Sequence, residues 1–387
     1  MIYLDNSATT KPCKEAVEAM TAALTEGWAN PSALYGFGID ALRQLKVARS
    51  KVAAALGAEP DRIFFTSGGT EADNWALLSS AKRFGKKNKH IITTAIEHHA
   101  ILNCAKELEA QGYEVTYLQP NELGQISLDS LKAALRKDTF LVSVMMVNNE
   151  TGAVYNIPAV KRLMATKCPD ALLHVDATQG YMKIPFTKAG IGADLITVSS
   201  HKIGGPKGVG ALIIDRDVIK KRGLAPVVYG GGQGIGLRSG TENVAGVAAF
   251  AEAARLAHLE LKESISKMSA LRERLVDRLA NDDRLCEISP TLPKNHAPHI
   301  LNVTLPGIKS ETMLHYLSSE GIFVSSGSAC SSNGGHLSSA LTSYGRSDAE
   351  ADSSIRISFS KDNSEEDVDA LTEALAQGLT KLARIKR

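Results

Sequence analysis

The sequence is short of cysteine, of unbalanced charge and of long hydrophobic runs, and each shortage closes off a class of function. Five cysteines stand among 387 residues, at Cys13, Cys104, Cys168, Cys286 and Cys330. They are odd in number, scattered and never in C-x-x-C spacing, so neither a disulfide framework nor a zinc site is indicated. The reducing cytosol is the expected compartment. Lysine and arginine number 44 against 42 aspartates and glutamates, and a net charge of +2 is too mild to imply nucleic-acid or anionic-membrane binding. No apolar run approaches the ~20 residues of a membrane helix, and "MIYLDNSATTKP" lacks the basic and apolar regions of a secretory leader.

What is present is the balance of a globular protein, 44% hydrophobic and 22% charged, with a length that suggests more than one domain. Between residues 60 and 215, β-rich runs alternate with helical patterns. The runs are "RIFFTS", "KHIITTAI", "YEVTYL", "FLVSVMMV", "ALLHVDA", "ADLITVS" and "VGALIID". Such alternation predicts an α/β fold with a largely parallel seven-stranded sheet, and continuously apolar strands are those buried on both faces. Residues 71–85, 100–112, 128–138 and 158–168 carry helical spacing. A long helical pattern then runs from about Glu242 to Ala280, and the remainder reads as a smaller α+β domain. The expected division is a large domain at 15–255 and a small one built from 1–14 and 256–387.

In open α/β sheets ligands bind beyond the carboxyl ends of the strands, so the residues after each run matter. "TSGGTEADN" follows the first and couples a glycine turn to a helix start, whose free N–H groups suit a phosphate. "EHH", with His98, follows the second; a helix-capping or surface histidine is the plainer reading of it. "NNETG" follows the fourth and reads equally as a turn. "VDATQG" puts Asp176 at a strand end, and "SSHKIGGPKG" puts Lys202 just beyond another. A strand-end charge is commonly a solvated cap. A lysine for a Schiff base, a carboxylate for a pyridinium nitrogen and a phosphate cradle at one sheet edge nevertheless match pyridoxal phosphate.

One segment stands apart. In "VSSGSACSSNGGH", Val324 to His336, Cys330 lies among serine, alanine and glycine. An inert thiol packs as a small hydrophobe among apolar neighbours, whereas glycine and serine favour turns and loops. The thiol therefore reads as displayed.

Taken in order, "YLDNSATT", "FTSGGTEADN", "EHHAIL", "VNNETG", "HVDATQ", "SSHKIGGPKGVGAL", "GGGQ", "RSGTEN", "SSGSAC" and "SSIRISF" resemble the cysteine desulfurases, a branch of the class V aminotransferases of fold type I. "SSGSAC" is like the branch with a long cysteine loop. The resemblance spans Tyr3 to about Phe359. It implies a pyridoxal 5'-phosphate enzyme in which Lys202 forms the internal aldimine, Asp176 pairs with the pyridine nitrogen, Gln179 binds the phenolic oxygen and His98 stacks on the ring and assists proton transfer. Gly69, Thr70, Ser199 and His201 would hold the phosphate. Thr241 would reach the phosphate of a neighbouring subunit, which requires a homodimer. Asn149 and Arg356 would hold the substrate carboxylate, where a planar guanidinium suits bidentate recognition.

The reaction so implied converts L-cysteine to L-alanine. The Cys330 thiolate attacks the substrate sulfur and leaves as a persulfide bound for an acceptor protein, in iron–sulfur assembly or tRNA thiolation. A nucleophile that visits a buried cofactor and then an outside partner belongs on a flexible loop of small residues. Selenocysteine lysis or transamination on the same scaffold, and a weakly active assembly subunit, are the competing readings. Cys330 speaks against transamination, and retention of Lys202, Asp176, His98, Arg356 and Cys330 together speaks against a degenerate scaffold. The segment after the cysteine, "SSNGGHLSSALTSYG", and Gly234 with Ile235 in the glycine cluster depart from the family pattern.

Overall fold

The computed structural model describes residues 1–85, 87–121, 124–221, 223–326 and 338–385. In chain order its strands are β1 (Ile2–Tyr3), β2 (Ile63–Thr66), β3 (His90–Thr94), β4 (Glu114–Leu118), β5 (Thr139–Met145), β6 (Leu172–Asp176), β7 (Leu195–Ser199), β8 (Gly210–Ile214), β9 (Ser289–Thr291), β10 (Ile300–Thr304), β11 (Ile322–Phe323), β12 (Ser325–Ser326) and β13 (Ser354–Ser358). All seven runs of the α/β region form strands. They make one sheet in the order β2-β8-β7-β6-β5-β3-β4. Pairing is parallel from β7 through β4, while β8 runs antiparallel to both neighbours, β7 and β2. The connection from β7 to β8 is too short to hold the crossover that a parallel return needs.

Both faces of the sheet are covered. Along β8, Ala211 and Ile213 belong to one hydrophobic core and Leu212 and Ile214 to the other, the two-residue period of a strand buried on both sides. On one face Trp75 and Leu77 of helix Gly69–Phe84 lie in the core that includes Phe140 and Leu141. On the other, Val247, Phe250 and Ala254 of helix Val244–Leu259 pack in the core that contains Ile196 and Val198.

The single helix expected from Glu242 to Ala280 is two helices, Val244–Leu259 and Leu261–Asn281, broken at Glu260. Neither proline nor glycine marks the break. Its reason is tertiary: the first half joins the sheet's core, whereas Met268, Leu271, Leu275 and Leu279 of the second join a separate core with Leu301, Val303, Ile355, Ile357 and Leu371. Glu260 itself takes Lys361 Nζ at 2.5 Å.

That separate core lies under the antiparallel sheet β12-β13-β10-β9. Leu4 is buried in it, and β1 pairs in parallel with β11 through Ile2 opposite Ile322. The amino-terminal segment is thereby stitched to residues more than three hundred positions away, with Ser358 N–H donating to the Leu4 carbonyl at 2.7 Å. No helix among the described residues is long and apolar enough to cross a membrane.

Candidate active site

The carboxyl ends of β6 and β7 lie side by side, with Asp176 opposite Thr197 in the ladder. Asp176 is buried, and its Oδ1 accepts the Thr178 N–H at 2.9 Å in a local turn that fixes the carboxylate. Ser199 ends β7, and its hydroxyl is buried with no hydrogen-bond partner among the described residues. Against these ends sits the start of helix Gly69–Phe84. A Cβ on Gly69 would lie 3.2 Å from Thr178 Oγ1 and 3.8 Å from Ser199 Cβ. Gly68, at φ +154, has a backbone that L side chains rarely adopt, and a Cβ on Gly210 would come within 2.8 Å of its Cα. Gly68 and Gly210 therefore let the helix start approach the strand ends, and Ser199, with its unpartnered hydroxyl, lies beside that junction.

Lys202 closes the single 3-10 turn Ser200–Lys202 that follows β7. Its Nζ donates to the carbonyls of Ser7 at 2.6 Å and Ala8 at 2.8 Å. Gln179 Nε2 donates to the same Ser7 carbonyl at 2.9 Å. The segment from Ser7 to Cys13 wraps the lysine turn: Thr10 N–H donates to the His201 carbonyl, Gly204 N–H donates to Thr10 Oγ1 at 2.7 Å, and Cys13 N–H donates to the Gly204 carbonyl at 2.8 Å. His201 Nδ1 lies 3.2 Å from Thr9 Oγ1. Burial, then the charges of Lys202 and Lys207, hold the imidazole down to about 4, so it is neutral near pH 7.

His98 caps helix His99–Ala110, its Nδ1 accepting the Ala100 N–H at 3.1 Å. The cap fixes the tautomer of the neutral ring: with Nδ1 an acceptor, the ring proton sits on Nε2. Burial pushes its pKa below the usual histidine value against the opposing pull of Asp176, with His99 and Lys202 adding to the fall. Asn74 Nδ2 donates to the carbonyls of Thr70 at 3.0 Å and Ala100 at 3.1 Å, tying the two helix starts together. Thr70 and His98 in consequence line one surface cavity.

Two further acids lie within the field of Asp176. Burial pushes Glu97 up to about 8, against hydrogen bonds from the Thr94 hydroxyl at 2.6 Å and the Met145 N–H at 2.9 Å. Burial and then Asp176 hold Asp73 well above the usual carboxylate range.

Arg356, 2% exposed, projects from β13. Its Nη1 donates to the backbone carbonyl of Asn149 at 2.9 Å and its Nη2 to Asp5 Oδ1 at 2.8 Å, while Nε is buried without a partner among the described residues. Asn149 and Arg356 thus lie in contact, through the asparagine's main chain. The neighbouring Glu150 is pushed up to about 7 by burial, and it accepts the hydroxyl of Ser338.

Cys330 lies outside the described residues, but both anchors of its segment are placed. Ser325 of β12 sits opposite Arg356 in the ladder, and Ser338 is bonded to Glu150, next to Asn149. Thr241, with Ser67 and Gly208, lines a cavity of about 270 Å³.

Sequence reasoning left Asp5, Ser7, Glu97, Glu150 and Ser338 unassigned. Asp5 and Ser7 stand inside "YLDNSATT", and that motif was the available signal. The acids carried none, because their roles depend on burial against distant strands.

The model of the family described as aminotransferase class-V matches residues 2–371. The chain belongs to the class V aminotransferases. It is similar to proteins named cysteine desulfurase IscS from Methanosarcina thermophila, 39% identical over 98% of this chain and 92% of the relative, and from Clostridium botulinum strain Hall, 41% identical over 97% and 93%. Among solved structures, a NifS-like protein superposes with a TM-score of 0.91 at 38% identity, covering 98% of this chain and 99% of that one. SspA in complex with cysteine superposes at 0.81 and 32% identity over 93% and 99%. The architecture is accordingly the fold type I α/β arrangement of pyridoxal-phosphate-dependent class V enzymes.

Proposed function

We infer that this class V enzyme is a pyridoxal-phosphate-dependent cysteine desulfurase that converts L-cysteine to L-alanine and passes the sulfur through Cys330 to an acceptor protein. The observation that carries this reading is Lys202, Asp176 and Gln179 at and just beyond the carboxyl ends of β6 and β7, with His98 in the field of Asp176 and Lys202, in a chain about 40% identical along nearly its whole length to proteins so named.

The residues fit the cofactor. An unpartnered buried Ser199 hydroxyl beside a glycine-fronted helix start suits a phosphate; Gly69, Thr70, Ser199 and His201 would hold it. Asp176 would face the pyridine nitrogen, Gln179 the phenolic oxygen and His98 the ring. When bound, the cofactor supplies an electron sink that labilises the substrate's Cα–H and Cβ–S bonds. Lys202 Nζ, held by the Ser7 and Ala8 carbonyls, is the group placed to take and return the Cα proton. Arg356, with Asn149, would receive the substrate carboxylate. The Cys330 thiolate then takes the sulfur as a persulfide, the Cβ–S bond breaks, and the electron pair left on the substrate carbon is protonated to give alanine.

On this reading residues 15–255 form the cofactor-binding domain, and 1–14 with 256–387 form the one that carries the cysteine loop. The working unit is a homodimer. Trp28, Leu34 and Tyr35 are 69%, 93% and 63% exposed, a cluster that asks for a partner. The enzyme is placed in the cytosol, and its acceptor is an iron–sulfur scaffold or a tRNA-thiolation enzyme.

The test is alanine release from L-cysteine by the purified holoenzyme, with a thiol reductant to strip the persulfide. Alanine in molar excess over enzyme is expected. A cofactor-loaded protein that makes none with cysteine overturns the assignment.

A further inference from the structure

Arg356 stands among more anions than one cation balances. Its Nη2 donates to Asp5 Oδ1 at 2.8 Å and its Nη1 to the Asn149 carbonyl at 2.9 Å, while its Nε is a buried donor with no acceptor among the described residues. Glu150 follows that carbonyl directly in the chain and lies in the field of the guanidinium. His299, fully buried in the same field, adds no charge: burial, then the charges of Lys183 and Arg356, hold it neutral. One cation therefore faces two carboxyl groups before any ligand arrives.

The two acids are held differently. Asp5 bonds the guanidinium itself, whereas the bond that Glu150 makes is to the uncharged hydroxyl of Ser338. Among the described residues, the charge acting on Glu150 is that of Arg356. Burial brings the acid up to about 7, against the Ser338 bond and then the Arg356 charge. A carboxylate arriving at the free Nε would repel an ionised Glu150 and favour its neutral form. The Ser338 contact suits either state, because a hydroxyl donates to a carboxylate and accepts from a carboxylic acid.

We propose that Glu150 takes up a proton from solvent when the substrate's carboxylate binds at Arg356, so that the site receives an anion without gaining net charge. Resting on the reading of Arg356 as the receiver of that carboxylate, this makes Glu150 a positioning residue that acts through the guanidinium. The protonated form is the one that admits the ligand, so binding weakens as pH rises.

Titration calorimetry of the full-length holoenzyme with 3-mercaptopropionate tests this. The probe keeps the carboxylate and the sulfur of cysteine but has no amine with which to displace Lys202. In buffers of different ionisation enthalpy, binding at about pH 8 should take up most of one proton per ligand, and affinity should fall about tenfold or more between about pH 6.5 and 8.5. Both readouts need only the parent. Glu150→Gln, permanently neutral, should bind with no uptake and with an affinity flat over that range, within about threefold of the parent's at the acid end. Arg356→Lys should weaken binding about tenfold. An unchanged affinity in Arg356→Lys, or no saturable binding by the parent at about pH 6.5, would overturn the reading of Arg356 and the proposal together. Binding that Arg356→Lys does weaken, but that takes up no proton in the parent or takes up as much in Glu150→Gln, would overturn the proposal alone.

Discussion

Lys202 and Gln179, borne by different turns of the sheet's carboxyl edge, donate to one acceptor, the Ser7 carbonyl, at 2.6 and 2.9 Å. The amino-terminal segment is therefore part of the site's frame. The lysine's place is set by main-chain oxygens that no side-chain replacement removes.

Replacing the lysine itself separates chemistry from folding. Lys202→Ala should leave the melting temperature within a few degrees, abolish the cofactor's covalent attachment seen by absorbance, and cut alanine formation by at least about a thousandfold. Cys330→Ala should keep the cofactor spectrum and stop sulfur release. Normal turnover by Cys330→Ala would falsify the choice of nucleophile.

His98→Gln keeps a side chain able to accept the Ala100 N–H but removes the imidazole. Cofactor content should stay at one per chain, while the early spectral change after mixing with cysteine slows by about 10–100-fold. Stopped-flow traces identical to the parent's would remove His98 from proton transfer.

Arg356→Lys retains a positive charge but loses the planar fork that now spans Asn149 and Asp5. The Michaelis constant for L-cysteine should rise about tenfold or more, with a smaller change in kcat; an unchanged constant would place the substrate carboxylate elsewhere.

Ser338 bonds to Glu150 and also caps helix Ser339–Ser343 through the Leu341 N–H at 3.0 Å. Ser338→Ala should cost about 1 kcal/mol of stability. As one anchor of the cysteine segment is also lost, persulfide formation, measured by mass spectrometry, should slow while cofactor absorbance is unchanged.

Glu97 gives a pH signature. The folded protein holds its proton up to about pH 8, whereas an unperturbed glutamate releases it near 4.5. The folded state thus binds the extra proton in that window, and stability falls as pH rises through it. Glu97→Gln, neutral throughout, should flatten this slope and be the more stable protein at pH 8, by several kcal/mol at most. Denaturant melts at pH 5 and pH 8 decide the point.

The sheet was legible because continuously apolar strands and amphipathic helices alternate with clear punctuation. Asp176 and Lys202 could be located because one ends its strand and the other stands three residues beyond its own. The direction of β8 was not legible: the residues of β8 suit either orientation, and only the length of the preceding connection decides. The break at Glu260 escaped because it answers to two cores, which no local pattern encodes. Asp5 with Arg356, and Ser338 with Glu150, were hidden for a related reason. Each is a contact between distant segments, and neither member announces itself without the other.

The Asp5–Arg356 pair and the β1–β11 ladder also bear on how the molecule comes into being. At about 5–20 residues per second, a ribosome exposes residues 2–13 on the order of twenty seconds to a minute before β13 emerges. Throughout that interval the turn whose carbonyls will hold Lys202 lacks Arg356 and Ser358, the β13 residues that bond to Asp5 and Leu4 beside it. The sheet from β2 to β8 can form meanwhile, so the nascent chain would own its cofactor lysine well before it owned a finished site. Catalytic competence is in this sense a property acquired only once β13 has been made and has met residues 2–13.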